Sequence, residues 1–394
     1  MKLNPDIENC APAPIAEAWS WLDQRTDGAE LLDVCQAVPS YLPEQSLLDH
    51  LGQSIAQGKA ATYTDISGIP SLRSALARDI NHRYASHLVG ENVSITAGCN
   101  QAFCSVVDTL CRSGDEVIAA LPCYFNHEMW FNIRGIRPKW LDFNPADALP
   151  DPDQIDELVS DKTRAIVLVS PNNPTGAIYP STLLKAFFQA AKRHQLALVI
   201  DETYRDFMDP FAPPHDLFGE SDWESHFIHL YSFSKSFSLT GHRVGAVVAG
   251  RDFLKQMNKV QDCVAISAPH GGQVAACYGL DHLTEWRDEN GRAMNQRAEA
   301  IKAAFARPGL GYRIISAGAY FAYVRHPFAF SAYEVAKRLA IEYSVLCLPG
   351  TYFGVGQDQY LRFAFANLPE ERFPELIDRL ETSLDMDHSV NRSG

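Results

Sequence analysis

The sequence predicts an α/β protein, and three neighbouring segments carry this prediction. Residues 164–170 and 196–201 are apolar runs of strand length, and residues 181–194 between them place apolar side chains on one helical face. Strand, helix and strand in this order form a βαβ unit, so the two strands should be parallel. Because ligands bind at the carboxyl edge of open α/β sheets, side chains that follow these strands should face one crevice.

Two domains are expected from the length of 394 residues and from the distribution of the elements. Apolar runs at 117–121 and 227–232 extend the sheet, so a large domain should cover residues 46–282. The tail contains predicted strands near 313–325 and 360–366 and predicted helices near 331–342 and 370–384. We therefore expect a small α+β domain formed by residues 1–45 with 283–394.

The composition excludes some classes of partner. The net charge of −14 argues against binding to nucleic acid or to an anionic membrane surface. The nine cysteines are odd in number and irregular in spacing, which favours free thiols in a reduced compartment.

The N-terminus lacks an apolar core of signal-peptide length, and no apolar run approaches the ~18 residues of a membrane span. We expect a cytoplasmic protein. The thirteen histidines show no metal-binding spacing, so no metal is expected.

The segment 231–245 has the side chains needed to bind a phosphorylated aldehyde. Lys235 follows an apolar strand, with Ser232 and Ser234 three residues and one residue before it and Arg243 eight residues after it. A lysine amine condenses with an aldehyde to give a Schiff base. Hydroxyls and a guanidinium hold a phosphate. An aldehyde and a phosphate together describe pyridoxal 5'-phosphate (PLP).

A different chemistry is also compatible with part of this segment. Ser232 and Lys235 match the Ser-x-x-Lys pattern of penicillin-binding serine acyl-enzymes. Those enzymes also carry Lys-Thr-Gly and Ser-Asp-Asn strings, and neither occurs in this sequence.

Polar residues at two other strand ends fit the same cofactor. Asp201 can pair with the pyridine nitrogen of PLP, which keeps the ring protonated and makes it a better electron sink. Tyr204 can donate to the phenolic oxygen O3′ of that ring. The plainer interpretation of Asp201 is a strand-end residue that caps a loop. Asn173 lies in a Pro-Asn-Asn-Pro-Thr-Gly string after a strand, which is also typical of a simple loop.

A strand, a glycine turn and the start of a helix are predicted around Gly98, Cys99 and Asn100. Free N–H groups and the helix dipole make such a helix terminus an anion site, although a mere helix cap has the same sequence. No histidine partner for Cys99 can be argued from the sequence, so we expect it to act as a backbone donor.

Taken together, these strings resemble the class I/II aminotransferases, and the resemblance covers about residues 30–385. It implies PLP fold type I, with a large α/β/α domain on a mostly parallel seven-stranded sheet and a small domain. It also implies that Asn173 contacts O3′, that the N–H groups of Cys99 and Asn100 bind the phosphate, and that Tyr124 stacks on the pyridine ring. A core tyrosine is the alternative for Tyr124.

The resemblance extends to the substrate and to a second subunit. It implies that Arg362 binds the substrate α-carboxylate and that Tyr63 reaches the phosphate of a neighbouring subunit, which makes a homodimer obligatory. The alternative for Arg362 is a strand arginine that faces solvent, and the alternative for Tyr63 is a turn residue before a helix. Ala37 stands where the family often has glycine, so its methyl group should narrow the substrate pocket.

The implied activity is transfer of an amino group from an L-amino acid to a 2-oxo acid by ping-pong kinetics, with Lys235 as Schiff base and proton carrier. Three alternatives share these cofactor residues: a carbon–sulfur lyase, an aminocyclopropane carboxylate synthase and a PLP-dependent oxidase. A non-catalytic PLP-binding regulator is a further alternative, but such proteins usually carry an added DNA-binding domain, for which there is no room before residue 46.

Overall fold

The computed structural model describes residues 1–25, 28–209 and 212–386. Its α-helices are α1 (Pro5–Glu8), α2 (Pro14–Ser20), α3 (Gln45–Ala56), α4 (Pro70–Tyr84), α5 (Cys99–Leu110), α6 (Phe125–Ile133), α7 (Ile155–Leu158), α8 (Ser181–Arg193), α9 (Trp223–His226), α10 (Phe233–Ser236), α11 (Arg251–Ala265), α12 (His270–His282), α13 (Thr284–Phe305), α14 (Ala332–Glu342) and α15 (Phe373–Thr382).

The strands are β1 (Leu32–Asp33), β2 (Val93–Thr96), β3 (Glu116–Ala120), β4 (Arg137–Leu141), β5 (Phe143–Asn144), β6 (Leu149–Pro150), β7 (Thr163–Val169), β8 (Ala197–Asp201), β9 (Phe227–Ser232), β10 (Gly245–Val248), β11 (Arg313–Gly318), β12 (Phe321–Arg325), β13 (Val345–Leu346), β14 (Leu348–Pro349) and β15 (Tyr360–Phe363). Short 3-10 turns join several of them, among them Arg205–Phe207, Thr240–His242 and Gly350–Phe353.

A seven-stranded sheet in the order β2-β10-β9-β8-β7-β3-β4 forms the centre of the molecule. Strands β9, β8, β7, β3 and β4 pair in parallel, whereas β10 pairs antiparallel with both β2 and β9. The predicted βαβ unit is present as β7, α8 and β8, with its two strands paired from Ala165↔Ala197 to Val169↔Asp201. The predicted α/β class and the mostly parallel seven-stranded sheet are confirmed.

Helices cover both faces of this sheet. On one face α4, α8 and α12 pack on alternate strand residues, and Phe187 and Phe188 of α8 are fully buried there. On the other face α5, α6 and α11 contribute Phe103, Phe131 and Met257 to a separate apolar cluster. Burial on both faces explains why these strands are continuous apolar runs rather than alternating ones.

A four-stranded antiparallel sheet in the order β11-β12-β15-β14 forms a second core with α13, α14 and α15. β1, from the N-terminal stretch, pairs in parallel with β13 beside this core. These elements agree with the α+β pattern of the tail, and the boundaries at residues 46 and 282 stay a prediction. In the described ranges, no helix has both the length and the hydrophobicity that crossing a membrane requires.

Candidate active site

A cavity of about 560 Å³ opens at the carboxyl edge of the large sheet. Its size is typical of pockets for small molecules and cofactors. The residues that line it are Ala13, Ile15, Gln36, Ala37, Val38, Cys99, Asn100, Tyr124, Phe125, Asn126, Val169, Asn173, Asp201, Thr203, Tyr204, Ser232, Ser234, Lys235, Thr240, Gly241, Arg243 and Arg362. The cavity therefore contains every site residue predicted from the sequence except Gly98 and Tyr63.

Topology explains why distant segments meet here. β7, β8 and β9 run in the same direction, so Asn173, Asp201 and Lys235, which lie at or beyond their ends, reach one edge. β10 runs the opposite way, and its first residue, Gly245, pairs with the last residue of β9. The chain therefore leaves this edge after β9 and returns to it before β10, which brings Arg243 back beside Lys235.

Lys235 lies in the single turn α10 directly after β9. Its Nζ donates a hydrogen bond of 2.5 Å to the carbonyl oxygen of Ala37. Burial, and secondarily the positive charges of Arg362 and Arg243, lower the pKa of the Lys235 amine to about 8. A minor but useful fraction of this amine is consequently neutral near physiological pH, as a nucleophile or a general base requires.

Asp201 is a buried carboxylate at the end of β8. Its Oδ1 accepts hydrogen bonds from the Thr203 backbone N–H at 2.9 Å and from the Cys99 thiol at 3.5 Å. Burial by itself raises the pKa of Asp201, but the nearby His127 imidazole and the contacts with Thr203 outweigh it and hold that pKa below its usual range. Asp201 is therefore a stable negative charge inside the cavity.

His127 is a site residue that the sequence did not identify. It lies in the first turn of α6, with Nε2 3.6 Å from Asp201 Oδ2, and its ring stacks on Phe103 at 3.7 Å between centroids. Its Nδ1 is buried and has no hydrogen-bond partner in the part of the chain that the structure describes. The only signal in the sequence was the position of His127, three residues after Tyr124 and near the end of a predicted strand.

One end of the cavity has groups that suit an anion. α5 begins at Cys99, so the N–H groups of Cys99 and Asn100 have no intrahelical acceptor. Gly98 has φ of 86°, and a Cβ atom on it would collide with the Arg243 guanidinium. Arg243 donates to the Thr240 carbonyl oxygen at 3.0 Å, and among the described residues it forms no ion pair. An arginine packed against a helix N-terminus without a carboxylate partner suits a phosphate.

Ser232 and Ser234 line the same end of the cavity. The Ser232 hydroxyl accepts a hydrogen bond of 3.3 Å from the Ser234 backbone N–H, which caps α10 and fixes the backbone just before Lys235.

Tyr124 and Tyr204 are aromatic side chains near Asp201. The Tyr124 ring meets His127 edge-on at 5.2 Å, and the Tyr204 ring contacts Phe321 edge-on at 5.1 Å. Burial raises the pKa of Tyr124 to about 12 and that of Tyr204 well above its ordinary value. Both phenols therefore keep their protons and remain hydrogen-bond donors at neutral pH.

Arg362 lies on β15 and is only 2% exposed. Its Nη1 donates to Asn173 Oδ1 at 2.9 Å, and its Nη2 donates to the Cys35 carbonyl oxygen at 2.5 Å. The guanidinium carbon lies 5.0 Å from the ring centroids of both Phe321 and Phe353. This guanidinium faces the cavity from a fixed position and is not the solvent-facing strand arginine of the alternative interpretation.

Tyr63 lies away from this cavity, with 77% of the residue exposed in the single chain. The structure thus does not bring it to the site of its own subunit. A role for Tyr63 depends on a second subunit.

The groups in the cavity fit PLP. Any side chain at position 98 would collide with the Arg243 guanidinium, which shows how closely the backbone approaches Arg243 at the anion end. Lys235 supplies an amine, and Asp201 supplies a buried carboxylate. In the described residues no group of three or more histidine, cysteine, aspartate or glutamate side chains is placed to hold a metal ion.

Comparison with known proteins gives a consistent result. The model of the family "Aminotransferase class I and II" matches residues 29–380. The aromatic aminotransferase ISS1 of Arabidopsis thaliana is 28% identical over 362 residues, which cover 90% of each protein. An aspartate aminotransferase of Pyrococcus horikoshii is 28% identical, over 82% of this chain and 83% of its own. The structure of a Thermus thermophilus aspartate aminotransferase double mutant superimposes with a TM-score of 0.88 at 25% identity, covering 97% of this chain and 99% of that one.

Proposed function

The chain belongs to the class I and II aminotransferases, and we propose that the cavity around Lys235 is where it transfers amino groups. The enzyme uses PLP and moves an amino group from an amino acid to a 2-oxo acid. When bound, PLP supplies an aldehyde that takes up the amino group and a ring that accepts the electrons of the broken Cα–H bond. The chain's own residues hold the reactants and carry the protons.

Lys235 is the residue that binds the cofactor and moves the proton. Its neutral Nζ would take the proton from the substrate Cα, hold it and then release it. With the pKa lowered to about 8, the amine can accept and release a proton at little cost near neutral pH. In the chain without cofactor, the Ala37 carbonyl oxygen holds this amine in the cavity.

Asp201 would hold the ring nitrogen in its protonated form, and Tyr204 and Asn173 would bind the phenolic oxygen. His127 lies beside Asp201 and positions that carboxylate. The N-terminus of α5, Arg243, Ser232 and Ser234 would hold the phosphate of the bound cofactor. These assignments rest on the placement of these groups in one cavity, with His127 behind Asp201.

Arg362 binds the α-carboxylate of the amino acid. A guanidinium fork makes two parallel hydrogen bonds to a carboxylate, which also fixes the direction of the Cα–H bond. Packing between Phe321 and Phe353 keeps the fork in place.

A homodimer completes the site through Tyr63. The high exposure of this tyrosine in one chain leaves it free to reach the phosphate of a second subunit. We also place the enzyme in the cytoplasm, since all nine cysteines are free thiols.

One observation carries this function: the Lys235 amine, with a pKa of about 8, shares a cavity with Asp201, Arg243 and Arg362.

The experiment that tests this function is a visible absorption spectrum of the PLP-loaded protein, recorded before and after amino acids are added without any oxo acid. Transfer of the amino group to the cofactor should bleach the long-wavelength band. An oxo acid added afterwards should restore it.

Two variants control this experiment. Lys235→Ala should lose the long-wavelength band and the transfer reaction. Lys255→Ala removes an exposed lysine of α11 and should change neither the band nor the reaction. Full transamination by Lys235→Ala would rule out the proposed role. Release of ammonia without a requirement for an oxo acid would instead indicate a lyase or an oxidase.

A further inference from the structure

We propose that this site accepts amino acids with uncharged, mainly apolar side chains and rejects acidic and basic ones. The proposal rests on the proposed function, because it takes Arg362 as the group that binds the α-carboxylate. The charges and apolar residues of the cavity carry it.

Within one subunit, the cavity has no charged group left for a substrate side chain. In the described part of the chain, the charged residues that line it are Asp201, Lys235, Arg243 and Arg362. The ring nitrogen uses Asp201, the phosphate uses Arg243, and the α-carboxylate uses Arg362. A second carboxylate or an ammonium on the substrate would enter without a counter-charge, at a large desolvation cost.

The part of the cavity nearest the reacting carbon can be located from two hydrogen bonds. Ala37 accepts from Lys235 Nζ, and Cys35 accepts from Arg362 Nη2, each at 2.5 Å. Residues 35–38 therefore lie between the amine that moves the proton and the guanidinium that binds the carboxylate. The side chain of a bound amino acid must extend along this segment.

The walls beside this segment are neutral. Besides the residues with cofactor or carboxylate roles, the cavity is lined by uncharged residues: Ala13, Ile15, Gln36, Ala37, Val38, Phe125, Asn126, Val169, Thr203, Thr240 and Gly241. Phe125 lies 5.8 Å from Phe353, whose ring packs on the Arg362 guanidinium, so it is on the carboxylate side of the cavity. Burial of an apolar substrate side chain against Ile15, Val38 and Phe125 is favourable.

A guanidinium that contacts the nearby Ser40 does not change this count. Arg297 Nη1 donates to Ser40 Oγ at 2.9 Å and to the Ala366 carbonyl oxygen at 2.8 Å, and it does not line the cavity. The structure thus favours donors that resemble methionine, leucine or phenylalanine over aspartate, glutamate, lysine or arginine.

The first test measures rates of the half-reaction with PLP-loaded wild-type enzyme. Methionine, leucine and phenylalanine should bleach the cofactor band at least ~100-fold faster, per molar donor, than the four charged amino acids. A charged donor that reacts as fast as the best neutral one overturns the proposal.

The second test uses equilibrium binding, which needs no turnover. Calorimetry should show tighter binding of 4-methylpentanoate and 3-phenylpropanoate than of succinate and glutarate, since only the former pair lacks a second carboxylate. If no amino acid reacts but this order of affinities holds, the proposed function fails and the binding preference stands. Equal or tighter binding of the dicarboxylates overturns the preference.

A variant of Ile15 tests where the substrate side chain lies in the cavity. Ile15→Ala should lower kcat/KM for leucine about tenfold and leave that for alanine nearly unchanged, because only the longer side chain reaches Ile15. Ile7→Ala is the matched control, since Ile7 is exposed and does not line the cavity. A uniform loss with both donors in Ile15→Ala, or the same pattern in Ile7→Ala, contradicts the assignment.

Discussion

Lys235 shares its cavity with two guanidinium groups, and this arrangement sets its chemistry. Burial disfavours the ammonium form, and the charges of Arg362 and Arg243 add to the effect, so the pKa falls from 10.5 to about 8. The Ala37 carbonyl oxygen accepts a hydrogen bond from the amine and so fixes its position. At the residue scale, reactivity thus comes from surroundings rather than from the lysine itself.

This pKa predicts how cofactor capture depends on pH. Below pH 8 the amine is mostly protonated and has no lone pair, so the rate at which cofactor-free protein forms the Lys235 adduct should rise with pH and level off above about 8. Stopped-flow absorbance with added PLP measures this rate. A midpoint near 10.5, the ordinary value, would contradict the lowered pKa, and Lys235→Ala should show no adduct at any pH.

At the scale of elements, the junction between β2 and α5 builds the anion end. Gly98 turns the chain with φ of 86°, and α5 begins at the next residue. Gly245, at the start of β10, is equally confined, because a Cβ atom on it would lie 2.7 Å from the Cys99 nitrogen. The two glycines let a helix terminus, a strand and Arg243 approach closely enough to surround a phosphate.

We predict that Gly98→Ala weakens PLP binding at least tenfold. The new methyl group would displace the Arg243 guanidinium, and a side chain at φ of 86° and ψ of 168° would cost about 1–3 kcal/mol of stability. Gly114→Ala is a matched control, because Gly114 has φ of 89° but no atom within 4 Å of a Cβ. Both variants should lose similar stability in thermal unfolding, and only Gly98→Ala should lose affinity for PLP. Equal affinities in the two variants would contradict the steric argument.

At the scale of the whole molecule, buried charges join distant elements. Asp79 of α4 pairs with Arg205, which is fully buried, and with Arg287 of α13 at 2.8 Å. Burial raises the pKa of Asp79, but the two guanidinium groups outweigh this and keep it below its usual range. The ion pairs connect the helix layer of the large sheet to α13, which packs against the small sheet.

Asp79→Asn should therefore lower the free energy of unfolding by about 3–5 kcal/mol, because buried Arg205 would lose its close ion pair and retain only the 3.8 Å contact with Asp206. Asp281→Asn breaks an exposed pair with Arg78 and should cost about 0–1 kcal/mol. Urea denaturation of both variants measures the difference. Equal losses would mean that the buried network contributes no more than a surface ion pair.

The proposed dimer can be tested by complementation. If Tyr63 serves the neighbouring subunit, a mixed dimer of Lys235→Ala and Tyr63→Ala subunits contains one intact site. Unfolding and refolding an equal mixture should then restore about a quarter of the wild-type activity, since half of randomly formed dimers are mixed. Activity no higher than the average of the two parent variants would contradict a shared site.

Local sequence determined much of this protein. Apolar runs and helical periodicity predicted β7, α8 and β8 to within one residue at most ends, because strand and helix patterns depend on neighbouring residues. The strings around Asn173, Lys235 and Arg362 predicted the cofactor and the family, since each string is continuous in the chain. The comparisons confirm that family.

Only the tertiary structure decided how these strings act on one another. The Ala37 carbonyl oxygen that accepts from Lys235 is 198 residues away in sequence, and His127 reaches Asp201 from a different helix. The antiparallel direction of β10, which returns Arg243 to the site, is likewise set by pairing with β2 and β9. Such contacts, and the pKa of Lys235 that follows from burial, depend on packing between distant segments, which no local pattern records.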